Sequence, residues 1–108
     1  MPKYLVEVSY APEAVAGMIK NPEDRTPPVR AAVESLGGKL ECLYFSFGER
    51  DALAVADVPN NVSAAALSMA VSATGRYKSC RTTPLMTGEE MVEAARAAGK
   101  VNFRPAGG

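Results

Sequence analysis

The sequence contains no histidine. Imidazole is the usual general base near neutral pH and the commonest nitrogen ligand for metals. Its absence removes Ser-His-Asp and Cys-His nucleophile devices, imidazole metal sites and proximal-histidine haem binding. Cysteine is scarce as well: Cys42 and Cys80 are too few for a disulfide scaffold and too far apart for a Cys-x-x-Cys redox or zinc motif. Neither sign of charge predominates. Twelve Lys and Arg balance twelve Asp and Glu, so there is no electrostatic reason to seek nucleic acid or an anionic membrane. No window approaches the roughly eighteen apolar residues of a membrane span, and no apolar stretch follows a basic start near Met1. Ser72-Ala73-Thr74-Gly75-Arg76 lacks the glycine spacing and lysine of a phosphate loop. The expectation is a cytoplasmic protein with no metal, no cofactor, no nucleic-acid partner and no membrane partner.

What is present suits a folded chain. The 108 residues are 47% hydrophobic and 22% charged, enough for one domain that buries roughly two-thirds of its unfolded surface. Lys3 to Tyr10 alternates Tyr4, Val6, Val8 and Tyr10 with Leu5, Glu7 and Ser9, the period of a strand. Pro12 opens a helix with a stripe of Ala14, Val15, Met18 and Ile19, which breaks in the charged, proline-rich segment 21–28. A second helical piece enters through Pro27 and Pro28, carries Val29, Ala32, Val33 and Leu36, and ends at Gly37-Gly38. Lys39 to Phe47 is strand-like on both faces, with Leu40, Cys42 and Tyr44 on one and Leu43, Phe45 and Phe47 on the other. Gly48-Glu49 supplies a tight turn, and Asp51 to Val58 returns as the third strand of a hairpin.

The Asn60-Asn61 pair caps a helix of small residues from about Val62 to Ala73, and Asn61-Val62-Ser63 is read as that helix start rather than as a glycosylation site. Tyr77 to Met86 forms a fourth strand whose Pro84 marks an edge. Thr87-Gly88-Glu89-Glu90 is a capping box that starts a last helix over Gly88–Ala98. The domain is expected to end there, leaving 99–108 as a loose tail.

The order strand, helix, strand, strand, helix, strand, helix is that of an α+β, ferredoxin-like βαββαβ sandwich with an extra C-terminal helix and a four-stranded antiparallel sheet. A sheet covered on one side should alternate apolar with polar, yet the second and third strands are apolar or small on both faces. The second face therefore needs a cover. A second copy of the same sheet is the simplest one, which predicts a homo-oligomer, most simply a dimer.

Four stretches carry a family resemblance: Met1-Pro2-Lys3-Tyr4-Leu5-Val6, Ser35-Leu36-Gly37-Gly38-Lys39-Leu40, Tyr44-Phe45-Ser46-Phe47-Gly48-Glu49-Arg50-Asp51 and Arg81-Thr82-Thr83-Pro84-Leu85-Met86-Thr87. Over about residues 3 to 97 the chain resembles the GYD domain family. At the hairpin signature Gly48 and Asp51 match the family's glycine and aspartate, and Arg50 stands where tyrosine is usual. The resemblance implies a ferredoxin-like domain of the dimeric α+β barrel kind, found mostly in bacteria, and it implies no particular reaction.

Candidate chemistry concentrates in few residues. On the turn, either Arg50 binds a carboxylate or enolate with Asp51 as base, or Gly48 makes the turn and Asp51 caps backbone amides there. Glu7 is an odd carboxylate for a central strand facing a second sheet. Arg81 is its natural partner, either in a functional site or in an ion pair at the oligomer rim. Convergence of Glu7, Arg81, Tyr44 and Asp51 would create a site for a small polar or carboxylated ligand. Tyr4, Tyr10, Tyr44, Phe45 and Phe47 could line a pocket for a flat molecule or simply form core and interface. Cys42 and Cys80, on opposite sheet edges, read as small hydrophobes. Three functions follow as expectations: a small homo-oligomeric module binding an organic ligand in a sheet-face or intersubunit cavity; a cofactor-independent enzyme moving protons through Asp51, Glu7 or a tyrosine; or a structural or regulatory subunit with a filled interface.

Overall fold

The computed structural model describes residues 1–107, and the period-two alternation at their start is the first strand, β1 (Lys3–Tyr10). Ala11 breaks out of it and Pro12 begins α1 (Pro12–Lys20), where its missing N–H costs nothing in the first turn. The charged stretch that follows leads to α2 (Thr26–Ser35), which stops at Gly37 with φ 76°. That left-handed conformation is cheap only for glycine. Then come β2 (Lys39–Phe45), β3 (Ala52–Asp57), α3 (Asn61–Ala73), β4 (Tyr77–Leu85) and α4 (Gly88–Ala98). Asn60 caps α3 by accepting from the Ser63 amide, and both halves of the Thr87/Glu90 capping box form at α4.

The four strands make one antiparallel sheet in the order β2-β3-β1-β4, so the architecture is α+β and consistent with the ferredoxin-like fold. Pro84 sits on β4, which pairs only with β1 and needs no donor on its outer side. The core is Tyr4, Val33, Ala56, Val58 and Ala64, where α2 and α3 meet one face of the sheet. Among the described residues, no helix is long and apolar enough to cross a membrane.

Two expectations for the hairpin need correction. The second strand ends at Phe45 rather than Phe47, because the Ser46 hydroxyl turns in to the Arg50 carbonyl and the connection becomes a six-residue loop from Ser46 to Asp51. Phe47 lies in that loop, wholly exposed. The faces of β2 also differ from simple alternation: the register shifts between Leu40 and Cys42, so that Glu41 is the extra residue of a bulge. Leu40 therefore shares a face with Leu43 and Phe45, and Cys42 shares the other with Tyr44.

Residues 86–107 are all exposed, and no residue of α4 is buried. The shape is elongated, 57 × 35 × 22 Å with a radius of gyration of 17.3 Å, where a compact chain of this length would have roughly 13 Å. Gly108 lies outside the described residues.

Candidate functional site

Register fixes what each face presents. One face carries the rows Phe45–Ala52–Val8–Cys80, Leu43–Ala54–Val6–Thr82 and Leu40–Ala56–Tyr4–Pro84. The other carries Tyr44–Leu53–Glu7–Arg81, Cys42–Val55–Leu5–Thr83 and Lys39–Asp57–Lys3–Leu85. Helix α2 packs on the β2 side of the first face and α3 on the β4 side. Between them, over the alanines of β3, is an apolar groove of about 260 Å3. Its walls come from Val29 and Val33 of α2 and from Leu67 and Val71 of α3. Small residues beneath two separated helices leave space that larger residues would fill.

At one end of the groove Tyr10, Arg25, Thr74 and Tyr77 also line a second, more polar pocket beside α1. The Tyr10 and Tyr77 rings stand 5.3 Å apart, tilted by 31°. Half-burial is the largest influence pushing the Tyr10 phenol above its ordinary pKa, with Tyr77 and Asp51 adding to it and Arg25 opposing. Arg25 holds Glu23 at 2.8 Å, and that contact raises its own pKa.

Glu7, Tyr44 and Arg81 share one row on the open face, away from the groove. Glu7 and Arg81 are directly opposite each other in the register, and no ion pair joins them among the described residues. Tyr44 is 72% exposed. The open-face ion pairs are at the far row, where Lys3 reaches Glu41 at 2.8 Å and Asp57 at 2.9 Å and is pushed up to about 12 by those two carboxylates. This cluster is solvated and its effect on stability is small.

Asp51 does not join that row. Its carboxylate accepts from the Tyr10 amide at 2.8 Å, its own amide donates to the Val8 carbonyl at 2.9 Å, and its carbonyl accepts from the Ser46 amide at 2.8 Å. Arg50, half-buried beside it, contributes its carbonyl to the Ser46 hydroxyl. The Ser9 hydroxyl donates to the Glu49 carbonyl at 3.0 Å. The loop is thus tied to the end of β1 by side chains on both partners.

Of the five strand aromatics, Tyr10 and Phe45 line the groove, Tyr4 is in the core, Tyr44 is on the open face and Phe47 is in the loop. The groove itself, with Arg25 and Tyr77 at its polar end, was not foreseen from the sequence. Its one legible trace is the Ala52, Ala54, Ala56 alternation of β3. Both cysteines are free thiols, Cys80 accepting from the Ser68 hydroxyl at 3.8 Å. No group of three or more acidic or cysteine side chains placed to hold a metal occurs among the described residues.

A family model described as GYD domain matches residues 4–95, nearly the span over which the sequence motifs carry the resemblance. No curated protein matches the chain.

Proposed function

The chain belongs to the GYD domain family, and from that premise we propose that it is a homo-oligomeric binding module that holds a small organic molecule in the groove between α2, α3 and the sheet. The groove carries this reading: about 260 Å3 of space with apolar walls in a domain of only 108 residues. A dry apolar cavity of about 150 Å3 takes benzene, so this one suits a body of about ten non-hydrogen atoms.

The open face suits a second copy. Leu5, Leu53 and Val55 are only half-buried there, while α2 and α3 pack on the opposite face. Glu7 and Arg81 stand side by side with opposite charge. A two-fold axis brings residue i of one copy to j of the other and j to i, so such a row is complementary to itself.

Ligand-observed NMR with cinnamamide, a neutral probe of suitable size, tests the groove. Val71→Phe fills it from the helix side and Ala54→Val from the sheet side. Either variant, folded by circular dichroism, is expected to weaken binding at least about tenfold, the cost of expelling a buried aromatic body. Unchanged binding in both folded variants would falsify the groove as the site.

A further inference from the structure

The groove is lopsided in its chemistry. Away from the end shared with the second pocket its walls are alanine, valine, leucine, proline and phenylalanine alone, and every polar-tipped residue is at that end. Of these, Thr74 is already occupied: its hydroxyl donates to the Val71 carbonyl at 2.8 Å and accepts from the Arg76 amide at 3.2 Å. Arg25 commits one guanidinium nitrogen to Glu23, and a guanidinium has five N–H donors in a planar fork. The hydroxyls of Tyr10 and Tyr77 have no partner among the described residues, and the tilted ring contact holds them at the same mouth. Donors thus gather where the apolar walls stop. That end offers several N–H and O–H donors, and the carboxylate beside it, Glu23, is paired with Arg25.

Resting on the groove being a binding site, we propose that its ligand is a small apolar carboxylic acid, with its body over Ala52 and Ala54 and its carboxylate on Arg25 and the Tyr10 and Tyr77 hydroxyls. A carboxylate matches the planar fork. A dianion such as a phosphate monoester matches less well, since Glu23 already offsets the charge of Arg25. Tyr10 favours the same assignment. Its proton is held more firmly than in a free phenol, so at neutral pH it is a donor facing an acceptor.

The test compares cinnamate with cinnamamide, which have the same shape and differ in charge and in acceptor strength. The native protein is expected to bind cinnamate roughly tenfold or more tightly than cinnamamide, the size of a charged hydrogen bond. Arg25→Gln should abolish that preference, weakening cinnamate far more than cinnamamide. Glu23→Gln, which removes the negative charge that offsets Arg25 without touching the groove walls, should enlarge it, and this second variant keeps the test decisive if Arg25→Gln does not fold. Equal binding of the two compounds, or a preference that survives Arg25→Gln, overturns the head-group assignment and leaves the groove standing. If neither compound binds the native protein, the groove reading fails and the assignment fails with it.

Discussion

Towards its helices β3 presents Ala52, Ala54 and Ala56; away from them it presents Leu53, Val55 and Asp57. A sheet packed on one side only would place its large residues beneath the helices and polar ones outside. Here the bulk is on the uncovered face. Each face is therefore incomplete in its own way. The covered face has walls and a floor with room between them, the open one has apolar side chains with no wall. The first incompleteness suits a small molecule and the second suits a flat partner surface.

The strongest way to disturb the covered face is at Gly38, where the chain leaves α2 and enters β2. An added Cβ would stand 2.3 Å from the Asp57 carbonyl oxygen, 2.9 Å from Val58 Cγ1 and 3.1 Å from Val33 Cγ1. The first is backbone and the other two belong to the tightest part of the core. Gly38→Ala should cost about 3 kcal/mol, at the upper end for an overpacked core. Urea unfolding measures it, and a loss below about 1 kcal/mol would mean that the chain at Gly38 does not pass so close to Asp57, Val58 and Val33.

Next in size is a charge on the open face. Leu53→Lys places an ammonium in the middle of the row Tyr44–Leu53–Glu7–Arg81. In a single chain the lysine stem can lie along the sheet with its head in water, so the unfolding free energy should change by under about 1 kcal/mol. Across a face-to-face interface the same charge would be buried. Light scattering should then show the native protein at twice the chain mass and the variant at one chain mass. A native protein already at one chain mass ends the proposal that a second copy covers this face.

The legibility of the sequence divides along the same line. Elements set by local chemistry are readable to the residue: β1 stops where Pro12 cannot continue a ladder, and α4 begins where Thr87 and Glu90 cap each other. The excess of apolar residues on both sides of the hairpin is equally plain, because it is a matter of counting along strands. Features set by partners distant in sequence are not. The bulge at Glu41 moves Leu40 to the covered face without any glycine or proline to announce it, and Phe47 continues an apolar alternation that the Ser46–Arg50 contact interrupts. The groove depends on how far apart α2 and α3 settle, a spacing no single stretch encodes. Arg25 belongs to a segment that reads as a mere helix break, and only the fold brings it to Tyr10 and Tyr77.

The smallest predicted effect bears on Asp51, which the sequence offers either as a turn cap or as a base. Its carboxylate meets the amide of Tyr10 at the last residue of β1, one step before the chain turns into α1. Nothing else accepts from that amide among the described hydrogen bonds, and Tyr10 is half-buried, so removing the acceptor leaves a partly desolvated donor. Asp51→Ala should therefore lower stability by about 1 kcal/mol. Asp51→Asn separates geometry from charge: the amide oxygen of asparagine can take the same hydrogen bond, so its cost should be under about 0.5 kcal/mol. The two substitutions also reach the groove indirectly, because Tyr10 lines its polar end while the Tyr10 amide is held by Asp51. Cinnamate binding should follow the stability order, weakened by alanine and retained by asparagine. A carboxylate acting as base would give the opposite pattern, with asparagine as damaging to activity as alanine while the fold stays intact.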